Sequence, residues 1–319
     1  LIPYNGCGDI MKDLRVVFMG TPDFAVPVLE KLILNTKVVL VVSQPDKCVG
    51  RKRELVPTPI KKKALEYNIP VFQPEKVKLD YEEIVLARPD IIITCAYGQI
   101  IPKVLLDLPR LGCINVHASL LPYLRGGAPL HHAIIDGYKE TGVTIMYMDE
   151  AMDTGDIISA VTYPLKDTDT VGTVHDNLME IGANLLMETL PSIIKGTNKR
   201  IKQDNSKATY AYNIYRSDEH LDFSGSGVLV ERQVRGLNPW PLANTLFDDE
   251  EIKIISGYFV LGKSIPKKIN VVTKDSLGIG CSDGIYYVTA LKPSGKKVMD
   301  IKSYLNGMDK DKLLAKKIS

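Results

Sequence analysis

Ile91-Ile92-Ile93-Thr94-Cys95 is apolar along almost its whole length. A strand with one face in water alternates polar and apolar residues. A continuous apolar run is a strand covered on both faces, as in a parallel sheet. Leu14-Arg15-Val16-Val17-Phe18, Val38 to Val42 and Gly112 to Val116 read the same way. Helical signals lie between them: Phe24 to Leu34 places Val28, Leu29 and Leu32 at helical spacing, and a helix is expected from Ala64 onward. Strands alternating with helices, joined by right-handed crossovers, predict an α/β fold with a Rossmann-like, doubly wound parallel sheet. Further extended segments are expected at Pro70-Val71-Phe72, Val143 to Met148 and Ile157 to Tyr163. A long amphipathic helix is expected over Thr170 to Ile194, with Thr170 as its N-cap.

Composition shifts after that helix. Lys195 to Ser206 is polar, basic and rich in Asn, as in a linker. A helix is expected near Val228 to Arg235, then short β-rich runs at Ile252–Ile255, Tyr258–Leu261, Ile269–Val272, Leu277–Gly280 and Gly284–Leu291. Short strands with frequent turns predict a small OB-like β-barrel. The expected boundaries are a leader or expression remnant at 1–10, a first domain at 11–196, a basic interdomain linker at 197–216 and a C-terminal barrel at 217–319.

The chain has 319 residues, 45% hydrophobic and 24% charged, an ordinary globular composition. No apolar run approaches the roughly 20 residues of a membrane span, so no membrane partner is expected. Its five cysteines are scattered, without a CxxC pair, which points to a reducing, cytoplasmic setting. Net charge is only +2, but Asp46–Lys63 carries +5 and Lys195–Lys207 carries +4. Such clusters are either solvated loops or contacts for a polyanion.

Open α/β sheets bind ligands beyond the carboxyl ends of their strands. Asn115 and His117 lie at such an end, two residues apart and therefore on one face, with α-carbons roughly 6.5–7 Å apart. An amide can polarise a carbonyl oxygen while an imidazole takes a proton from an attacking nucleophile. Asp153, in Asp153-Thr154-Gly155-Asp156, is either a turn residue or a carboxylate partner for the imidazole. The first turn carries only Gly20 of a dinucleotide fingerprint, and no phosphate-binding GxxxxGK[ST] occurs. There is no GxSxG nucleophile elbow and no HExxH, so neither a serine hydrolase nor a metal site is expected. His131 and His132 are expected on a helix after Pro129, and His175 and His220 at the surface or in packing. Trp240, between two prolines, reads as an interface plug or a stacking surface.

The combination is more specific than its parts. Asn115-Val116-His117, Ser119-Leu120-Leu121-Pro122, Arg125-Gly126-Gly127-Ala128-Pro129 and the downstream Asp153-Thr154-Gly155 resemble the folate-dependent formyltransferases. Val17 to Pro27, Gln44-Pro45-Asp46, Pro57-Thr58-Pro59 and Asn238-Pro239-Trp240-Pro241 extend the resemblance over nearly all of the chain after Met11. The basic loop and the second domain narrow it to the branch that formylates charged initiator tRNA. The resemblance implies 10-formyltetrahydrofolate as donor, the α-amine of initiator methionyl-tRNA as acceptor, no metal, and a monomer. It implies Asn115, His117 and Asp153 as the catalytic trio, with Asp153 holding the His117 tautomer. Ser119, Leu120, Leu121 and Pro122, with Tyr97, Gly98 and Ile100, would bind the folate. Arg51, Lys52 and Arg53, with Lys199 and Arg200, would contact tRNA, as would the C-terminal barrel. The alternative acceptor is a nucleotide-linked amino sugar or another small amine. Lys52 stands where the family usually has Gly, His131 where Gln is common, and Phe223 where Trp is frequent.

Overall fold

A computed structural model describes residues 11–50 and 54–319. Among the described residues the strands are β1 (Arg15–Gly20), β2 (Lys37–Val42), β3 (Lys47–Val49), β4 (Glu54–Val56), β5 (Val71–Phe72), β6 (Ile91–Cys95), β7 (Cys113–His117), β8 (Glu140–Tyr147) and β9 (Ile157–Pro164), followed by β10 (Ala243–Phe247), β11 (Glu250–Leu261), β12 (Ile269–Val272), β13 (Leu277–Gly280), β14 (Gly284–Pro293) and β15 (Met299–Asp300). The chain divides into two compact units. The first gathers residues up to Pro129 with Glu140–Pro164 and His175–Tyr212; the second gathers Leu130–Lys139, Leu165–Val174 and Asn213–Ser319.

The first unit is built on a seven-stranded sheet of order β5-β2-β1-β6-β7-β8-β9, counted among the described residues. From β5 to β7 every neighbour is parallel, as the apolar runs predict. Ile91, Ile92 and Ile93 are all fully buried. Each side chain so buried is worth about 1.5–3 kcal/mol. The sheet is mixed, however: β8 and β9 join antiparallel. On β9 half-buried and exposed residues alternate from Ser159 to Pro164, as expected of an edge strand with one wet face.

Helix Val26–Asn35 follows the short 3-10 turn Asp23–Ala25. The second helix is Pro59–Glu66, beginning five residues before the expected Ala64. Thr58 explains the earlier start. Its hydroxyl accepts from Lys61 N at 3.1 Å as an N-cap, and Pro59 sits in the first turn, where no amide hydrogen is needed. Thr170 caps Val171–Ile194 as predicted, accepting from Thr173 N at 3.2 Å. Within the basic loop, β3 and β4 form an antiparallel hairpin that the sequence reading treats as irregular.

The second unit is antiparallel, with order β10-β11-β14-β13-β12 and β15 on β14. Lys317 bridges Lys268, just before β12, and Ile318 bridges Phe247 of β10, so the last residues reach both edges of the sheet. Phe223 is buried there against Tyr286 at a ring distance of 6.3 Å, which gives the Trp-to-Phe departure a core position. Among the described residues no helix is long and apolar enough to cross a membrane.

Candidate active site

Two adjacent strand ends and two loops of the first unit build the site. Asn115 on β7 pairs in register with Thr94 of β6, and His117 with Thr144 of β8. The Thr94 hydroxyl donates to Asn115 Oδ1 at 2.8 Å. This fixes which way the amide faces: its oxygen is spent inside the sheet, and Nδ2, a donor only, lies on the other side. Asn115 is half-buried, and His117 is 6% exposed.

His117 Nε2 lies 3.1 Å from the Leu124 carbonyl oxygen. A backbone carbonyl only accepts, so Nε2 carries a hydrogen and Nδ1 is the nitrogen left to gain or lose a proton. Nδ1 is 3.7 Å from Asp153 Oδ1, beyond hydrogen-bond length but within range of an ion pair once the ring is charged. The expectation that Asp153 holds the tautomer is therefore revised: the Leu124 carbonyl does so, and Asp153 faces the exchangeable nitrogen. Asp153 itself has φ +55°, a left-handed backbone uncommon for a residue with a side chain. Its other oxygen, Oδ2, accepts from Gly126 N at 2.9 Å.

Gly155 permits the turn that carries Asp153. A Cβ there would run into the Tyr147 carbonyl oxygen at the end of β8. Gly155→Ala is expected to destabilise the protein by about 1–3 kcal/mol, the usual cost of overpacking, read as a lower midpoint in urea at unchanged slope.

Most of the expected folate segment is internal. Ser119 is fully buried and donates to the Tyr123 carbonyl at 2.6 Å. Leu121 is buried too, with its N–H on Thr144 Oγ1 at 3.2 Å, while Leu120 and Pro122 are half-buried. Tyr97 packs in the core with Val77, Ile84, Ile101 and Leu105. Its carbonyl oxygen accepts from Thr21 Oγ1 at 3.0 Å and Gln44 Nε2 at 3.2 Å. Gly98 has φ +86°, and Ile100 is 81% exposed on the segment leaving β6 at the same sheet end. Burial pushes the Cys95 thiol up to about 12, and burial with nearby Asp107 does the same for Cys113. Both stay protonated at neutral pH, so neither supplies a thiolate nucleophile.

Arg51, Lys52 and Arg53 lie outside the described residues. Elsewhere in the basic segment, Lys61 pairs with Asp46 at 2.6 Å and Lys63 with Glu30 at 2.8 Å, so part of its charge is neutralised internally. Lys199 is exposed, whereas Arg200 pairs with Asp156 at 3.0 Å and lies 4.1 Å over the Tyr147 ring. In the second unit His131 Nδ1 donates to Gly236 O at 2.7 Å, and burial lowers its pKa. Among the described residues no three His, Cys, Asp or Glu side chains cluster as metal ligands would.

Thr94, Leu124, Gly126 and Gln203 are the site residues that sequence reasoning missed. The Gln203 amide donates to the Asp153 and Gly155 carbonyls, each at 2.8 Å. Only the Asn115–His117 spacing is a local signal; these four act through contacts distant in sequence or through backbone atoms.

An amide donor and a proton-exchanging imidazole at one sheet end suit acyl transfer to a nucleophile. Comparison with known proteins agrees. Residues 14–190 match the family described as Formyl transferase, and residues 213–309 match Formyl transferase, C-terminal domain. The methionyl-tRNA formyltransferase of Bacillus subtilis (strain 168) is 50% identical over 299 residues, covering 92% of this chain and 94% of that protein. The methionyl-tRNA formyltransferase of Staphylococcus aureus (strain MW2) is 47% identical over 309 residues, covering 95% and 99%. Among solved structures, the N-formyltransferase from Helicobacter canadensis in complex with folinic acid and dTDP-3-aminofucose superposes with a TM-score of 0.64 at 20% identity, over 86% of this chain and 98% of that one, a likeness of fold. Identity near one half, sustained through both halves of the chain, places it in the methionyl-tRNA formyltransferase family.

Proposed function

We propose that this protein transfers the formyl group of 10-formyltetrahydrofolate to the α-amine of methionine on charged initiator tRNA, in the cytoplasm, where initiation uses the product. The observation that carries the reading is the placement of Asn115 Nδ2 and His117 Nδ1 at one sheet end, in a chain about half identical to such enzymes.

In this reaction the amine attacks the formyl carbon, a C–N bond forms, and the bond to folate N10 breaks. Asn115 Nδ2 donates to the formyl oxygen as negative charge gathers there. His117 Nδ1 takes the proton that the amine sheds and returns it to the departing N10, while Asp153 stabilises the charged ring between the two transfers. The left-handed Gly98 and exposed Ile100 beside β6 offer backbone and an apolar side chain to the flat pterin. Arg51, Lys52, Arg53, Lys199 and the C-terminal barrel are assigned to tRNA. A nucleotide-linked amino sugar as acceptor is supported only by likeness of fold.

The deciding experiment incubates the protein with 10-formyltetrahydrofolate and methionyl-tRNA. Formylmethionyl-tRNA is expected; its absence, or preferential formylation of a free amino sugar, overturns the reading. If the basic segments bind phosphates, KM for tRNA rises steeply between 50 and 200 mM salt, roughly as the counterions they release. KM for the folate donor stays flat. Replacing Arg51 and Lys52 by Ala is expected to reduce the slope of log KM against log salt by about 1–2.

A further inference from the structure

We propose that Gln203 is a positioning residue for the His117–Asp153 pair, acting from the segment that reads in sequence as an interdomain linker. The inference rests on the catalytic reading given above. Gln203 Nε2 gives one hydrogen to the Asp153 carbonyl and one to the Gly155 carbonyl, both at 2.8 Å. Its Oε1 accepts from Arg125 Nε at 3.1 Å and Nη2 at 2.7 Å. Arg125 is only 2% exposed, and its Nη2 also donates to Asn205 Oδ1 at 2.8 Å. The next residue, Gly126, holds the Asp153 carboxylate through its N–H.

Two routes thus run from one amide to one carboxylate. The first is direct, through the carbonyl of Asp153 itself. The second passes through Arg125 to the Gly126 N–H. Together they hold Asp153 in its left-handed backbone, a conformation that persists only where surrounding contacts over-determine it. Farther along, Thr209 Oγ1 accepts from Leu124 N at 2.9 Å, and Arg125 exchanges backbone hydrogen bonds with Thr209 O and Ala211 N at 2.9 and 2.7 Å. The same segment therefore also steadies the Leu124 carbonyl that sets the His117 tautomer.

The chemistry of position 203 is specific. It must donate twice to carbonyls and accept from a guanidinium, which a side-chain amide does. Glu keeps the Arg125 pair but, ionised, has no hydrogen for either carbonyl. Met keeps the volume and loses both functions.

The test compares Gln203→Met and Gln203→Glu with the parent, each also in an Asp153→Asn background. A positioning role predicts kcat falling about 10–100-fold, the scale of a misplacement near 1 Å. KM for the folate donor and for methionyl-tRNA should each move less than about threefold, and the further loss in the Asp153→Asn background should be under about twofold. Amide hydrogen exchange at Gly126 and over residues 149–156 should accelerate in both variants. A kcat within about twofold of the parent, a loss confined to KM, or an undiminished loss in the Asp153→Asn background overturns the proposal. Should Gln203→Met fail to fold, Gln203→Glu carries the same comparison, because it retains the Arg125 contact. A parent protein that makes no formylated product overturns the functional reading instead. The exchange measurement then still decides whether Gln203 holds Asp153, and unchanged exchange overturns that.

Discussion

Asn115→Ala is expected to lower kcat for formyl transfer by about 10²–10³-fold, the usual cost of removing one oxyanion donor. KM for either substrate should hardly change, because the amide meets full negative charge only in the transition state. Single-turnover rates with saturating donor and methionyl-tRNA read the chemical step directly. Thr94→Val supplies the internal control. It keeps Asn115 but removes the hydroxyl that holds Oδ1 at 2.8 Å, so the amide loses its fixed orientation. Its loss should be intermediate, and in the Asn115→Ala background Thr94→Val should add almost nothing. An Asn115→Ala enzyme within tenfold of the parent would remove Asn115 from the transition state.

His117→Ala is expected to cost about 10²–10⁴-fold in kcat, the range for a positioned general acid–base. Asp153→Asn should cost less, since it keeps the Gly126 contact and acts on the reacting atoms only through the ring 3.7 Å away. The two substitutions together should be no worse than His117→Ala alone, because they act as one unit. Small-molecule imidazole offers a second check. If His117 carries a proton, added imidazole partly restores His117→Ala and does nothing for Asn115→Ala. Equal effects of all three single substitutions on KM, with kcat preserved, would reassign the trio to binding.

Much of this site is legible because strand periodicity is simple. Asn115 and His117 must share a face of β7 once Cys113 to His117 is a strand, and fully apolar Ile91–Ile93 makes the parallel neighbour plain. Thr170 and the long helix after it are readable for the same reason, a local cap followed by a period of 3.6. The antiparallel attachment of β8 and β9 is not readable, since apolar alternation does not encode the direction of the neighbouring strand. β11 misleads in another way. Ile252–Ile255 and Tyr258–Leu261 look like two strands split by Ser256-Gly257, yet one strand runs through with a local shift of register. Gly257 is there for close approach, because a Cβ would meet the Tyr287 carbonyl and the Tyr286 ring. β10 at Ala243–Phe247 escapes notice because Asn244 and Thr245 interrupt its apolar character while both are buried. The groups that orient Asn115, His117 and Asp153 escape for a deeper reason. Leu124 and Gly126 contribute backbone atoms, and Thr94 and Gln203 meet their partners 21 and 50 residues away.

The lacing of residues 203–211 through the loops that carry Leu124, Gly126 and Asp153 bears on how this enzyme can be cut and grafted. The two matched regions end at 190 and resume at 213. A transplant trimmed to the first would carry Asn115, His117 and Asp153, yet leave Gln203, Thr209 and Ala211 behind. Its trio would be intact in composition and unbraced in space. The first compact unit reaches to Tyr212, and the chain before that point also holds Leu130–Lys139 and Leu165–Val174 of the second unit. A chimera that carries a foreign acceptor-binding domain should therefore place its seam no earlier than Tyr212 and supply packing for those two segments.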